Sequence, residues 1–334
     1  MELIMSVSLS GYGNPNSPNF WAGVKQFAQR GGFANGLNPN IVGRIWYVNT
    51  NTNADAANKK GSVGSDSNSG LSPLAPFATV ARALTFIDCY DIIVIDGVVK
   101  EQVVAPLGVF DVTLIGAANT PRQATSGGVA TGGGAYWTSP TSPTAATPLL
   151  ELIEQGWSIN NICFNPVASS PAIQATRAET AAHPDPSHLS IDGCLFIGAV
   201  GTVAGQIGYQ DSGGCYNVRI TNSRFQALAN AIKGIAGAGI ADPLANYYAY
   251  NYFLQNTNDI VIGCSYGRIE YNDFKATTTK KISLTAGGHE IVRLNQLDDN
   301  AADIDPAHGY DGSATGTWLN YVLNQAALQV GQPA

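Results

Sequence analysis

The chain has 334 residues, of which 12% are charged and 45% hydrophobic, with 37 glycines and a formal net charge of −7. This neutral, turn-rich balance argues against a helical bundle or a disordered chain, and the lack of a basic cluster argues against nucleic acid as a partner. Five scattered cysteines without CxxC spacing argue against a disulfide framework and a zinc site, and no apolar run reaches the roughly 18 residues of a membrane span.

Residues 1–43 do not repeat. A Gly/Asn/Pro-rich stretch leads to Asn19, which is placed to cap a short helix carrying Phe20, Trp21, Val24 and Phe27 on one face; Gly31 and Gly32 stop it. Such a helix either plugs the open end of a larger body or docks on another protein, so these four residues are candidate partner-binding positions. The first ten residues contain Glu2 and lack a basic start, so no signal peptide is expected.

Arg44–Asn49 reads as the first strand. A polar loop follows, then a segment with Gly70, Pro76, Phe77, Thr79, Ala83 and Leu84 that predicts a turn and a short helix. Ser65–Gly70 has too few carboxylates for a calcium loop and reads as a turn. Residues 91–96 and 109–115 continue as strands. From Ala117 to Pro148 the chain is rich in Gly, Ser, Thr and Pro, interrupted by Tyr136 and Trp137. This is too long for a free-standing loop, and it is expected to lie on a partner surface through those two aromatics.

The second half repeats. An apolar residue, then Asn or Gly two or three steps on, then Phe or Leu, recurs as Ile159/Asn161/Phe164, Ile191/Gly193/Phe196, Ile220/Asn222/Phe225 and Tyr248/Asn251/Phe253. Ile269/Asn272/Phe274, Val292/Asn295/Leu297 and Trp318/Asn320/Leu323 complete the series, at intervals of about 20 to 30 residues. A solenoid of short strands with loops of varying length explains this. Inward side chains stack from coil to coil, so Phe164, Phe196, Phe225, Phe253 and Phe274 are expected to form a buried column. Asn is expected at the corners because it tolerates a left-handed backbone and can hydrogen-bond between layers. The predicted class is all-β, a right-handed parallel β-helix over residues 44–334, with residues 1–43 as a capping or attachment segment.

The G…PF.T…AL segment of residues 70–84 resembles the opening module of right-handed parallel β-helix proteins, and Val109–Gly116 resembles the V.L.G layer that follows it. Viral tailspikes and related virion proteins carry this module. The resemblance implies a rigid homotrimeric virion protein, with capsid decoration as the first expectation and a receptor-binding, polysaccharide-depolymerising tailspike as the alternative. Its partners would be its own copies, capsid or other virion proteins and, in the second case, a host surface polysaccharide, with no membrane partner.

Sequence motifs for catalysis are fragmentary. Asn256 to Asp259, Gly288/His289/Glu290 and Asp298/Asp299 resemble pieces of an inverting glycosidase site, but they run in the wrong order and lack a basic pair. Asp298, Asp299, Asp303, Asp305 and Asp311, with Arg293 nearby, suggest a calcium-dependent lyase but read more simply as a solvated loop. His183, His188, His289 and His308 lack metal-ligand spacing. No cofactor or metal is expected, and the chain is expected not to be an enzyme.

Overall fold

The computed structural model describes residues 43–50, 62–117, 134–166, 169–176, 186–198, 205–234, 245–262, 267–277, 279–284 and 291–297. It also gives the backbone of short strands at Gln123–Ala124, Ala130–Thr131, Tyr310–Asp311, Thr317–Trp318, Tyr321–Leu323 and Leu328–Val330. The candidate residues Phe20, Trp21, Val24 and Phe27 lie outside the described residues.

Almost every strand pairs in parallel with strands one coil before and one coil after, which is the signature of a parallel β-helix. A typical coil has three short strands. In one, Ser158–Asn160 lies on sheet A, Ile162–Asn165 on sheet B and Pro171–Ala175 on sheet C. The pattern repeats at Arg219–Thr221, Arg224–Gln226 and Asn230–Gly234, then at Tyr247–Ala249, Tyr252–Leu254 and Asn258–Ile262.

The opening coil is closed by the predicted helix, Val80–Leu84. Thr79 caps it, its hydroxyl accepting from the Arg82 N–H, and the Glu101 carboxylate accepts from the Val80 and Ala81 N–H groups. The Asp66 carboxylate accepts from Ala78 and Thr79, so the 65–70 turn secures this cap. Phe77, Trp46 and Phe86 form a three-ring cluster, with Phe77 stacked on Trp46 at 5.9 Å and on Phe86 at 5.5 Å. Gly70 adopts a φ of +68°, and a Cβ there would collide with the Phe77 ring.

The core is a set of like-on-like columns. Trp137, Phe164, Phe196, Phe225, Phe253 and Phe274 stack in register on sheet B, with successive centroids 4.6 to 5.7 Å apart. That spacing is the height of one coil, so ring stacking and backbone pairing reinforce each other. Leu297 and the backbone of Val322 continue the column, so the last rung falls on Val322 and not on the expected Leu323. On sheet A the matching column is Ile159, Ile191, Ile220, Tyr248, Ile269 and Val292. The next position in it is Thr317, one residue before the expected Trp318.

A further expectation is corrected. Tyr136 and Trp137 belong to a strand of sheet B, Ala135–Thr138, and not to a loop on a partner surface. Trp137 is fully buried at the head of the aromatic column, with its indole N–H donating to the Glu101 carbonyl. Tyr136 faces the other way and is covered in a small cluster with Cys163 and Leu195. The residues of the third sheet were not located in the sequence: Leu150, Ile173, Tyr209, Ile232, Ile260 and Ile282 form its inner column.

Candidate functional site

The corner between sheets A and B holds the most informative outward-facing surface. One residue per coil there has a left-handed backbone: Asn161, Gly193, Asn222, Tyr250, Tyr271 and Leu294, all with φ between 50 and 61°. In the earlier coils the position is filled by Asn and Gly, which adopt this conformation readily. The later coils place two tyrosines and a leucine there, at a cost of about 1–2 kcal/mol per residue for an ordinary side chain.

A second column explains how the corner is held where tyrosine replaces asparagine. The next residue inward is Ser223, Asn251, Asn272 or Asn295, all buried. The Asn272 Oδ1 accepts from the Asn251 backbone N–H at 3.0 Å, and Asn295 Oδ1 does the same for Asn272. Each amide also donates backwards, Asn251 to the Ile220 carbonyl, Asn272 to Tyr248 and Asn295 to Ile269. The turn's backbone groups are therefore satisfied from inside, and the left-handed residue is left to project outward.

Tyr250 and Tyr271 use that freedom to build a platform. Their rings stack at 5.0 Å with an interplanar angle of 2°, yet remain 55% and 42% exposed. Tyr247 and Tyr252 flank the platform on sheets A and B. The Arg219 guanidinium lies over the Tyr247 ring at 5.4 Å, and the Arg224 guanidinium and Lys275 ammonium lie over Tyr252 at 5.3 and 5.2 Å. Glu270, buried beside the platform, accepts from Arg293 Nε at 2.6 Å, and Asp273 pairs with Lys275 at 3.0 Å.

Two protonation equilibria are displaced here. Partial burial, and then the neighbouring Glu270 carboxylate, push the Tyr247 phenol up. The hydrogen bond and charge of Glu270 likewise push the Arg293 guanidinium up. Both groups hold their protons at neutral pH and act as donors. The arrangement offers the exposed rims of stacked tyrosines, phenolic groups and cations along one edge of the rod, chemistry suited to sugar hydroxyls and acidic substituents.

The other sequence candidates fare differently. Asp259 is not a surface carboxylate but fully buried, accepting from Asn256 and Thr277. Arg293 does join the site, as the partner of Glu270. His188 is exposed and contacts Asn217. His183, Gly288, His289, Glu290, Asp298, Asp299, Asp303, Asp305 and His308, and the Asp311 side chain, lie outside the described residues. Among the described residues no three His, Cys, Asp or Glu side chains form a group able to hold a metal ion. The tyrosine platform went unrecognised in the sequence, although its signal was present: Asn moves from the second to the third step after the apolar residue wherever tyrosine takes the corner.

The chain matches no protein-family model and no curated protein. Among solved structures it is similar to an alginate lyase of the PL6 family, with 13% identity and a TM-score of 0.41 over 84% of this chain. It is also similar to a rhamnogalacturonan lyase, with 12% identity and a TM-score of 0.27, covering 78% of this chain and 69% of that one. The chain spans 40% of the length of the first of these. Both are polysaccharide lyases, and this corrects the expectation that the chain is not an enzyme. That expectation rested on missing local motifs, and carboxylates on separate coils leave no such motif.

Proposed function

We propose that this chain is a polysaccharide-binding β-helix of the receptor-binding tailspike kind, with the sheet A–sheet B corner around Tyr250 and Tyr271 as its glycan-contacting surface. The observation that carries this reading is the stacked pair of exposed tyrosines in a backbone conformation that disfavours tyrosine. The stacking gained there about offsets the strain that Asn or Gly would avoid, so stability gives little reason for tyrosine, and the rings are kept for what they touch. Sugar rings present apolar C–H groups that can pack against the exposed rims of these phenols, and their hydroxyls suit the donors and acceptors alongside.

The capsid-decoration reading draws no comparable support from the described residues: of its aromatic contacts, Trp137 and Tyr136 are buried. The homotrimer and the virion location belong to the same proposal, and sedimentation of the purified protein checks the first; a stable monomer would remove it.

The central test is retention of the protein in gels cast with bacterial surface polysaccharides, comparing the wild type with Tyr250→Ala/Tyr271→Ala. The double variant is expected to lose retention while keeping its melting temperature within a few degrees. Retention unchanged in that variant would sink the reading. Assaying the same mixtures for new reducing ends and for unsaturated uronates tells binding alone from hydrolysis or elimination.

A further inference from the structure

Arg219, Tyr247 and Arg268 occupy one outward row of sheet A, in register on three successive coils. Both arginines are exposed. Neither forms an ion pair among the described residues, whereas the nearby carboxylates, Glu270 and Asp273, are already engaged by Arg293 and Lys275. Exposed guanidiniums without carboxylates are a notable choice for a chain whose net charge is −7. Arg219 is moreover held in place by its seat on the Tyr247 ring.

The rows set a spacing. Consecutive tyrosines of the platform are one coil apart, 5.0 Å between ring centroids. The two arginines are two coils apart, about 9.6 Å at ~4.8 Å per layer. An extended pyranose chain advances per sugar by nearly the height of a coil, so a glycan lying along the rod would pass a guanidinium at every second sugar, with the rims of the stacked tyrosines alongside.

Resting on the glycan-binding reading above, we infer that the site selects an anionic polysaccharide lying parallel to the rod axis, with its carboxylates on alternate sugars. Arg219 and Arg268 each take one carboxylate through paired N–H donors, while Tyr250, on the coil between them, and Tyr271, level with Arg268, border the sugar chain with their exposed rims. Because exposed charges are screened by salt, this binding weakens as ionic strength rises.

Affinity for three polymers tests the idea: hyaluronate, with a carboxylate on alternate sugars; polygalacturonate, with one on every sugar; and dextran, which is neutral. Hyaluronate is expected to bind most tightly and with the steepest salt dependence. Arg219→Gln and Arg268→Gln should each weaken it about tenfold or more. Arg→Lys at the same positions should recover part of the loss, and Lys100→Gln, which removes an exposed cation from an early coil, should change nothing. Circular dichroism establishes that each variant is folded. Equal, salt-independent binding of dextran, unaffected by either Gln variant, would overturn this inference and leave the glycan reading standing. Tighter binding of polygalacturonate would overturn the alternate spacing. Failure of the wild type to bind any of the three, or any surface polysaccharide, would overturn both.

Discussion

The coils spanning residues 158–226 and those spanning 247–297 share one backbone but use it differently at the sheet A–sheet B corner. In the first set the left-handed position is Asn161, Gly193 or Asn222, and the buried position after it is Ile162, Cys194 or Ser223. In the second set the left-handed position is Tyr250, Tyr271 or Leu294, and the buried position is always Asn. Local preference and fold agree in the first set and conflict in the second. The second set resolves the conflict by bringing the asparagine inside, where it ties coil to coil and leaves the corner to an outward-projecting side chain. A β-helix can thus exchange its surface chemistry one rung at a time without altering its core.

The largest expected effect lies in what the two regions share. Phe225 stands at their junction, stacked on Phe196 and Phe253. Phe225→Ala should destabilise the rod by roughly 3–5 kcal/mol through lost burial and the cavity left behind, read from the denaturant midpoint. A loss under 1 kcal/mol would mean that the column does not hold the regions together.

The next prediction separates the two kinds of asparagine. Asn272→Ala strands the buried Asn251 N–H and the Tyr248 carbonyl, and should cost about 2–3 kcal/mol. Asn222→Gly acts at an exposed corner that glycine fits, and should cost about 1 kcal/mol or less. Equal losses at the two sites would erase the distinction between corner and ladder.

Tyr271→Gly tests the conflict itself. Relief of about 1–2 kcal/mol at the left-handed corner opposes the lost ring stacking, about 0.5–1.5, and the greater chain entropy of glycine, about 0.5–1. Stability should therefore move by less than about 1 kcal/mol while polysaccharide retention falls. A loss of stability with retention intact would make the tyrosine structural.

The smallest effect concerns pH. Asp211 is the polar exception on the inner side of sheet C, where the next coil has Gly234. Burial pushes its carboxyl up, against the pull of the Gly213, Cys215 and Gly214 N–H groups. The folded state thus holds this proton more tightly than the unfolded chain. Asp211's contribution to stability is greatest below the ordinary carboxylate range and declines as pH rises through the raised value. Relative to Asp211→Asn, the wild type should gain stability on acidification and lose it toward neutral pH; the opposite slope in urea melts would refute the assignment.

The fold was legible because a β-helix repeats its packing. Phe164 to Phe274 had to align if one of them did, and the opening helix showed itself in Phe77 and Thr79. Sheet C was hidden in the earlier coils, where Ile173 follows Phe164 by nine residues and Tyr209 follows Phe196 by 13; the signal lay in the later coils, where Ile232 and Ile260 each follow the column Phe by seven and Ile282 by eight. Trp137 was misread for a related reason, because the Gly- and Thr-rich sequence before it masks a strand only four residues long. The site was harder still. Candidate residues on separate coils have no local pattern, and Tyr250 and Tyr271 become a pair only when the coils are stacked.

That stacking also separates covalent from physical continuity. In the three parallel sheets the backbone hydrogen bonds of a strand go to the coils on either side, and none depends on the loop that joins it to the next strand. A protease that cuts a corner loop therefore breaks the chain without releasing a strand. The nicked rod should travel as one particle under native conditions and separate into fragments only in denaturant, so the molecule can lose pieces of its covalent thread and keep its shape.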